Sequence, residues 1–138
     1  MTPQTQHLFQ TVVPFRTYDE PLILGRVVDY IQDYFLNTAL LVELQKWEAH
    51  GQEYVNVIAY YNLGHDRRLV VGAHYDVCGD QPGADDNASA VAGLLETARL
   101  LALHQPQMDY TIELVAYCLE EPPFFGTELL GSFIHAKS

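Results

Sequence analysis

The sequence predicts an α/β domain with a mixed sheet, antiparallel where the chain enters it and parallel where its acidic residues gather. Three observations predict this. Apolar residues recur at helical spacing from Pro21 to Asn37, and Leu40 to Ala49 with Glu53 to Tyr61 reads as two strands joined at His50-Gly51-Gln52. Two more strand-like runs, Leu69 to Ala73 and Thr111 to Leu119, flank a helical stretch from Asn87 to His104. A strand, helix, strand order of this kind makes the two strands parallel through a right-handed crossover, so both end at the same edge of the sheet.

Thr2 to Glu20 has no steady period and carries Pro3 and Pro14, which suits an extended arm or a short helix leading in. From Pro21, a residue suited to a first helical turn, Leu22, Ile23, Val27, Tyr30, Ile31, Tyr34 and Phe35 form the stripe expected to cover one face of the sheet. Trp47, Tyr54, Tyr60 and Tyr61 are read as strand packing. Leu69 to Ala73 has the length and β-branched character of a buried strand. On the crossover helix the stripe is Val91, Leu94, Leu95, Ala98, Leu101 and Ala102, with Gly93 allowing close approach to the sheet and Asp86 or Asn87 as N-cap. The helix N-terminus, with its partial positive charge, favours ionised acids just before it. A last helix is expected from Thr127 to Ala136.

Composition bounds the function. With 138 residues the chain is read as one domain, 1–138, and 49% hydrophobic against 18% charged residues makes it globular rather than disordered. The net charge of −11 argues against nucleic acid and against anionic membrane surfaces. No apolar stretch reaches membrane-spanning length and the first residues lack the pattern of a signal peptide, so the expected location is cytoplasmic. Cys78 and Cys118 are too few for a disulfide scaffold; both are expected near the rim of the site, as free thiols.

The chemistry concentrates at two strand ends. After Ala73 the chain delivers His74, Asp76, Asp80, Asp85 and Asp86 into a segment broken by Gly79, Pro82 and Gly83. Ligand crevices of open α/β sheets lie beyond such strand ends. His74 and Asp76 are two apart, so in extended chain both face the same way, and a metal-binding imidazole is commonly held by a carboxylate behind it. The second strand ends in Glu120-Glu121 and Pro122-Pro123. Adjacent carboxylates point in different directions, one free to hold a cation and the other to act as a base on water beside it.

His74-Tyr75-Asp76, Pro82-Gly83-Ala84-Asp85-Asp86-Asn87-Ala88-Ser89 and Glu120-Glu121 together resemble the signature of the zinc aminopeptidases of metallopeptidase family twenty-eight, in order and spacing. The resemblance runs from about Gln52 to Gly131 and includes Asn56-Val57-Ile58-Ala59. It implies a three-layer α-β-α fold with a mixed, mainly parallel sheet, of which this chain is the first half. It implies His74, Asp86 and Glu121 as zinc ligands, Asp86 bridging two ions, with Asp76 orienting His74 and Glu120 the general base. The substrate would be a peptide with a free N-terminus. The family completes its second zinc site with an Asp and a His beyond the Glu pair, and Ser138 precedes that point. His7, His50, His65, His104 and His135 are expected to be ordinary surface or packing residues. The isolated chain is therefore expected to bind zinc weakly and turn over poorly. Phe124 and Phe125 have two readings, a wall of the substrate pocket or packing beneath the last helix. Two rival readings stay open: a glutaminyl-cyclase-like single-zinc acyltransferase, and a non-catalytic binding or assembly domain that self-associates through an exposed sheet edge.

Overall fold

The computed structural model describes residues 16–138, so the leading arm up to residue 15, with His7, lies outside the described residues. Helix α1 spans Pro21–Asn37. Gly25 and the β-branched Ile23, Val27, Val28 and Ile31 are poor helix formers, so packing has to hold this helix. Its buried stripe is Leu24, Val27, Val28, Ile31 and Phe35. Each such side chain contributes roughly 1.5–3 kcal/mol when fully buried, which outweighs the propensity deficit. Leu22, expected in the stripe, is exposed, because the helix phase is set by Leu24 and Val28 instead.

Strands β1 (Leu41–Ala49) and β2 (Gln52–Tyr61) form the expected hairpin, in register Ala49 with Gln52 and Leu41 with Tyr60. His50 and Gly51 both have positive φ, 52° and 79°, the backbone a tight two-residue hairpin turn demands. Strand β3 is Arg68–His74, helix α2 Ser89–His104 and strand β4 Thr111–Tyr117. The sheet order is β1-β2-β4-β3, with β2 antiparallel to β4 and β3 parallel to β4. The sheet is thus mixed, with its parallel pair at the acidic strand ends. A short helix, α3 (Gly131–Lys137), closes the described chain. It begins four residues later than expected, because Thr127 bonds locally instead of starting it. The Thr127 hydroxyl donates to the Phe124 carbonyl at 2.7 Å and accepts the Leu129 N–H at 3.2 Å, which holds this stretch in turns.

The main core lies between one sheet face and helices α1 and α2, where Val57, Ala59, Leu114 and Ala116 meet Ile31, Phe35, Leu95 and Ala98. On the opposite face Ile58, Val115 and Glu113 are also buried, and α3 reaches that face through His135 on Glu113. Three further expectations need correction. Strand β3 is the edge of the described sheet, so Leu69, Val70 and Val71 are exposed and only Ala73 is buried. Gly93 faces open space, since a side chain there would meet nothing within 4 Å. Neither Asp86 nor Asn87 caps α2, whose N-cap is Ala88 with no side-chain bond; the Asp86 carboxylate turns to His74 instead. No helix among the described residues is long and apolar enough to cross a membrane.

Candidate metal centre

The parallel register His74 with Tyr117 makes β3 and β4 end level, and a bond from Tyr75 N–H to the Tyr117 carbonyl, 2.9 Å, carries the pairing one residue further. The loops leaving the two strands therefore meet. Asp76 is 2% exposed and joins them. Its carboxylate accepts the backbone N–H of Glu120 at 3.3 Å and of Glu121 at 3.2 Å. It also stands behind His74, whose Nδ1 lies 3.1 Å from the Asp76 carbonyl and 3.6 Å from the carboxylate. Asp76 is thus on the expected side of the imidazole, but the closer contact is its backbone oxygen, because the carboxylate is occupied by the two amides.

With Nδ1 turned inward, Nε2 faces out, 3.1 Å from Asp86 Oδ1. Asp86 reaches it from a turn, Ala84–Ala88, that precedes α2 and opens at Gly83. Gly83 has φ 59°, and a Cβ there would lie 2.1 Å from a Val77 methyl and 2.8 Å from the Asp86 carbonyl, so only glycine fits. The turn closes through Ala88 N–H on the Gly83 carbonyl, 3.0 Å. Asp85, beside Asp86, is exposed and outside the cluster.

Glu120 and Glu121 diverge as expected. Leu119 just before them is fully buried with φ 60°, a left-handed conformation costly for a leucine, and turns the chain sharply out of β4. One ligand atom each from His74, Asp86 and Glu121 fall within 4.8 Å of one another, the sole such group among the described residues. Glu120 is not in that group; its two carboxylate oxygens accept the N–H and Oγ–H of Ser132 at 2.6 and 2.8 Å. Asn56, wholly buried on β2, fixes this side. Its side chain donates to Gln45 and to the Gly131 carbonyl and accepts the Cys118 N–H at 3.1 Å. Gly131 passes so close that a Cβ would meet Asn56 Oδ1 at 2.3 Å and the Cys118 carbonyl at 2.4 Å.

The electrostatics follow from this crowding. Burial alone lowers the pKa of His74, yet the hydrogen bond and charge of Asp76, with a push from Glu121, carry it up to about 9. Burial raises the pKa of Glu121; His74 pulls it down, while Asp86 and Asp76 push it further up. Concentrated negative charge with an imidazole at its centre suits a cation. An imidazole nitrogen and two carboxylates are a zinc-type donor set, and an imidazole whose second nitrogen is held by the chain has a fixed tautomer for ligation. The residues present therefore fit a zinc ion.

Phe124 is buried, packed edge-on against Tyr18 at 5.3 Å and beside His50 and Tyr54; Phe125 is 75% exposed. Both cysteines are free, but Cys118 is buried in the core rather than at the rim. His50, His65 and His104 are exposed, and His135 binds Glu113 at 2.8 Å and Tyr117 at 3.2 Å, away from the cluster. Sequence reasoning missed Arg16. It is 1% exposed, and its side chain donates to the carbonyls of Tyr75, Pro82 and Gly83 at 2.5, 2.8 and 2.7 Å. Burial lowers its pKa to about 10 against the raising charges of Asp76 and Asp86. No periodicity marks it; the one signal is a lone cation in a weakly patterned segment. Asn56 lay in the resemblance without a role, and Ser132 had no signal apart from its place after Gly131.

A fold with an imidazole and two carboxylates at level ends of parallel strands has relatives. The sequence model of peptidase family M28 matches residues 56–137, more than half of the chain, and the chain belongs to that family. It is 43% identical over 141 residues to the uncharacterized protein YfbL of Escherichia coli K12, covering 96% of this chain and 43% of that protein. It is 40% identical over 92 residues to a probable zinc metalloprotease of Pyrenophora teres f. teres, covering 66% of this chain and 18% of that protein. The chain thus spans less than half the length of these relatives. Among solved structures, a leucine aminopeptidase precursor from Bacteroides thetaiotaomicron superposes with a TM-score of 0.67 at 23% identity, over 88% of this chain and 48% of that one. A glutaminyl cyclase from Porphyromonas gingivalis superposes with a TM-score of 0.65 at 28% identity, over 88% and 45%.

Proposed function

We propose that the chain carries the metal-binding part of a zinc-dependent aminopeptidase. The observation that carries this is the convergence of His74, Asp86 and Glu121 ligand atoms within 4.8 Å, with Asp76 bonded behind the cluster to the chain leaving β4. His74 through Nε2, Asp86 and Glu121 would hold zinc. When bound, zinc supplies Lewis acidity toward a carbonyl and lowers the pKa of water. The remaining work falls to the chain. Glu120, its oxygens set by Ser132, is the base that takes a proton from water and returns it to the leaving amine. Asp76 keeps His74 in the tautomer that presents Nε2 and holds the Glu120 and Glu121 amides at one height. Phe125 offers the exposed apolar contact for a substrate side chain.

Zinc titration with hydrolysis of leucine p-nitroanilide tests the reading. Zinc uptake is expected, with binding lost in His74→Ala and turnover lost in Glu120→Gln. A wild-type chain that takes up no zinc rejects it. Likeness to the glutaminyl cyclase supports a second reading, acyl transfer on an N-terminal glutamine. Faster conversion of an N-terminal glutaminyl peptide than of a leucyl peptide selects it. The exposed Leu69, Val70 and Val71 on an edge strand support the third, an assembly domain. A zinc-independent oligomer in sedimentation, without hydrolysis, selects that one.

A further inference from the structure

Arg16 lies outside the family-matched segment, which begins at residue 56, yet its contacts reach the site. Its Nε bonds the carbonyl of Tyr75, the residue between His74 and Asp76. Its two terminal nitrogens bond Pro82 and Gly83, at the opening of the turn that carries Asp86. The Arg16 carbonyl accepts the Val77 N–H at 3.1 Å, so backbone and side chain together clasp both ends of the Val77–Gly83 loop. The Gly83 carbonyl takes Ala88 N–H as well, which ties the guanidinium directly to the closure of the Asp86 turn.

The bonding pattern is unusual for a buried cation. All three hydrogen bonds go to neutral carbonyls, and no carboxylate is among the acceptors. A buried guanidinium without a bonded counter-ion is costly unless its donors are satisfied and opposite charge lies near. The arrangement satisfies both conditions while leaving Asp76 and Asp86 free for other work, the one on the Glu amides and the other on His74. The strap that carries Arg16 is itself pinned: the Tyr18 carbonyl accepts from the Tyr54 hydroxyl at 2.8 Å, and the Tyr18 ring packs on Phe124. One short segment therefore braces the loops after β3 and β4 together.

We propose that Arg16 is a positioning residue for the metal site, shaping the loop that places Asp86 opposite His74 through its three carbonyl bonds. The inference rests on the zinc reading above, and it concerns preorganisation rather than ligation. A ligand held before the ion arrives does not have to be ordered by it, and loss of such supporting contacts commonly weakens metal binding on the order of 10–100-fold.

The test uses Arg16→Lys, which keeps the charge but cannot spread three donors across Tyr75, Pro82 and Gly83. Hydrogen exchange is measured first on the metal-free chain. Faster exchange at Val77 and Ala88, with β2 and β4 amides unchanged, is expected. Zinc affinity is then measured by competition with a chromophoric chelator, and a Kd raised about 10–100-fold is expected. Unchanged exchange at Ala88, a zinc Kd equal to wild type, or acceleration spread evenly over β2 and β4 would overturn the proposal; the last indicates a merely structural residue. If Arg16→Lys does not fold, the metal-free wild-type chain decides: the Ala88 amide, bonded to the Gly83 carbonyl, is expected to exchange as slowly as the amides of α2, and exchange at the rate of an unstructured amide would overturn the proposal. A wild-type chain that binds no zinc removes the metal reading alone, because exchange at Ala88 is read without metal.

Discussion

The loops after β3 and β4 solve the same problem in different ways. Each must leave a strand and aim a carboxylate at one point. The β3 loop is irregular and clasped from outside by the Arg16 cation, which gathers three backbone carbonyls. The β4 loop is held from within the sheet by the amide of Asn56, which both donates and accepts, and by a left-handed Leu119. Asp76 belongs to the first loop and bonds the second. The geometry of the His74, Asp86 and Glu121 cluster thus depends on residues outside it.

The strongest way to break the comparison is Asn56→Ala. It leaves the buried Cys118 N–H unpaired and takes the Asn56 donor from the Gly131 carbonyl, and an unsatisfied buried group costs about 1–3 kcal/mol. Chemical denaturation should show the midpoint falling by the largest amount of any variant named here, and an unmoved midpoint contradicts the internal support assigned to the β4 loop. Asp76→Asn is next. An amide offers one oxygen where the carboxylate offers two, so one of the Glu120 and Glu121 amides loses its acceptor. We expect a loss of about 1–3 kcal/mol in stability together with weaker zinc binding; loss of one without the other separates its joining role from its role behind His74.

The smallest effect concerns pH. Burial, then the charges of Glu120 and Glu113, push the Tyr117 hydroxyl up to about 12 from its ordinary 10. The sign comes from linkage: a raised folded pKa adds stability that is complete below about pH 10 and is lost as pH rises through about 12. Tyr117→Phe should therefore flatten the fall of stability across that window, as read in melts at successive pH values. An unchanged slope would contradict the upward shift of the Tyr117 hydroxyl, its burial included.

Much of this was legible because period and residue type agreed. The hairpin, the parallel pair and the helix between them follow from alternation and helical spacing, and His74, Asp86 and Glu121 stand where a strand end unloads polar residues. What escaped was set by tertiary position. Leu69, Val70 and Val71 read as buried because β-branched runs usually are, yet being at a sheet edge is a property of strand order that no local pattern encodes. Phe124 and Phe125 are identical in residue type and opposite in exposure, decided by where Tyr18 and Tyr54 happen to lie. Arg16 bonds carbonyls, and a carbonyl is present at every residue, so its partners have no sequence signature.

The Asn56 bond to Cys118 closes a gap of 62 positions, and that of Arg16 to Gly83 a gap of 67. Neither clasp exists in an expanded chain, where His74, Asp86 and Glu121 are scattered carboxylates and an imidazole with little preference for a common ion. An ion that discriminates in this way selects the collapsed ensemble by mass action. Were zinc held by these three residues, raising it about a hundredfold above its Kd would add about 2.7 kcal/mol to the folded state.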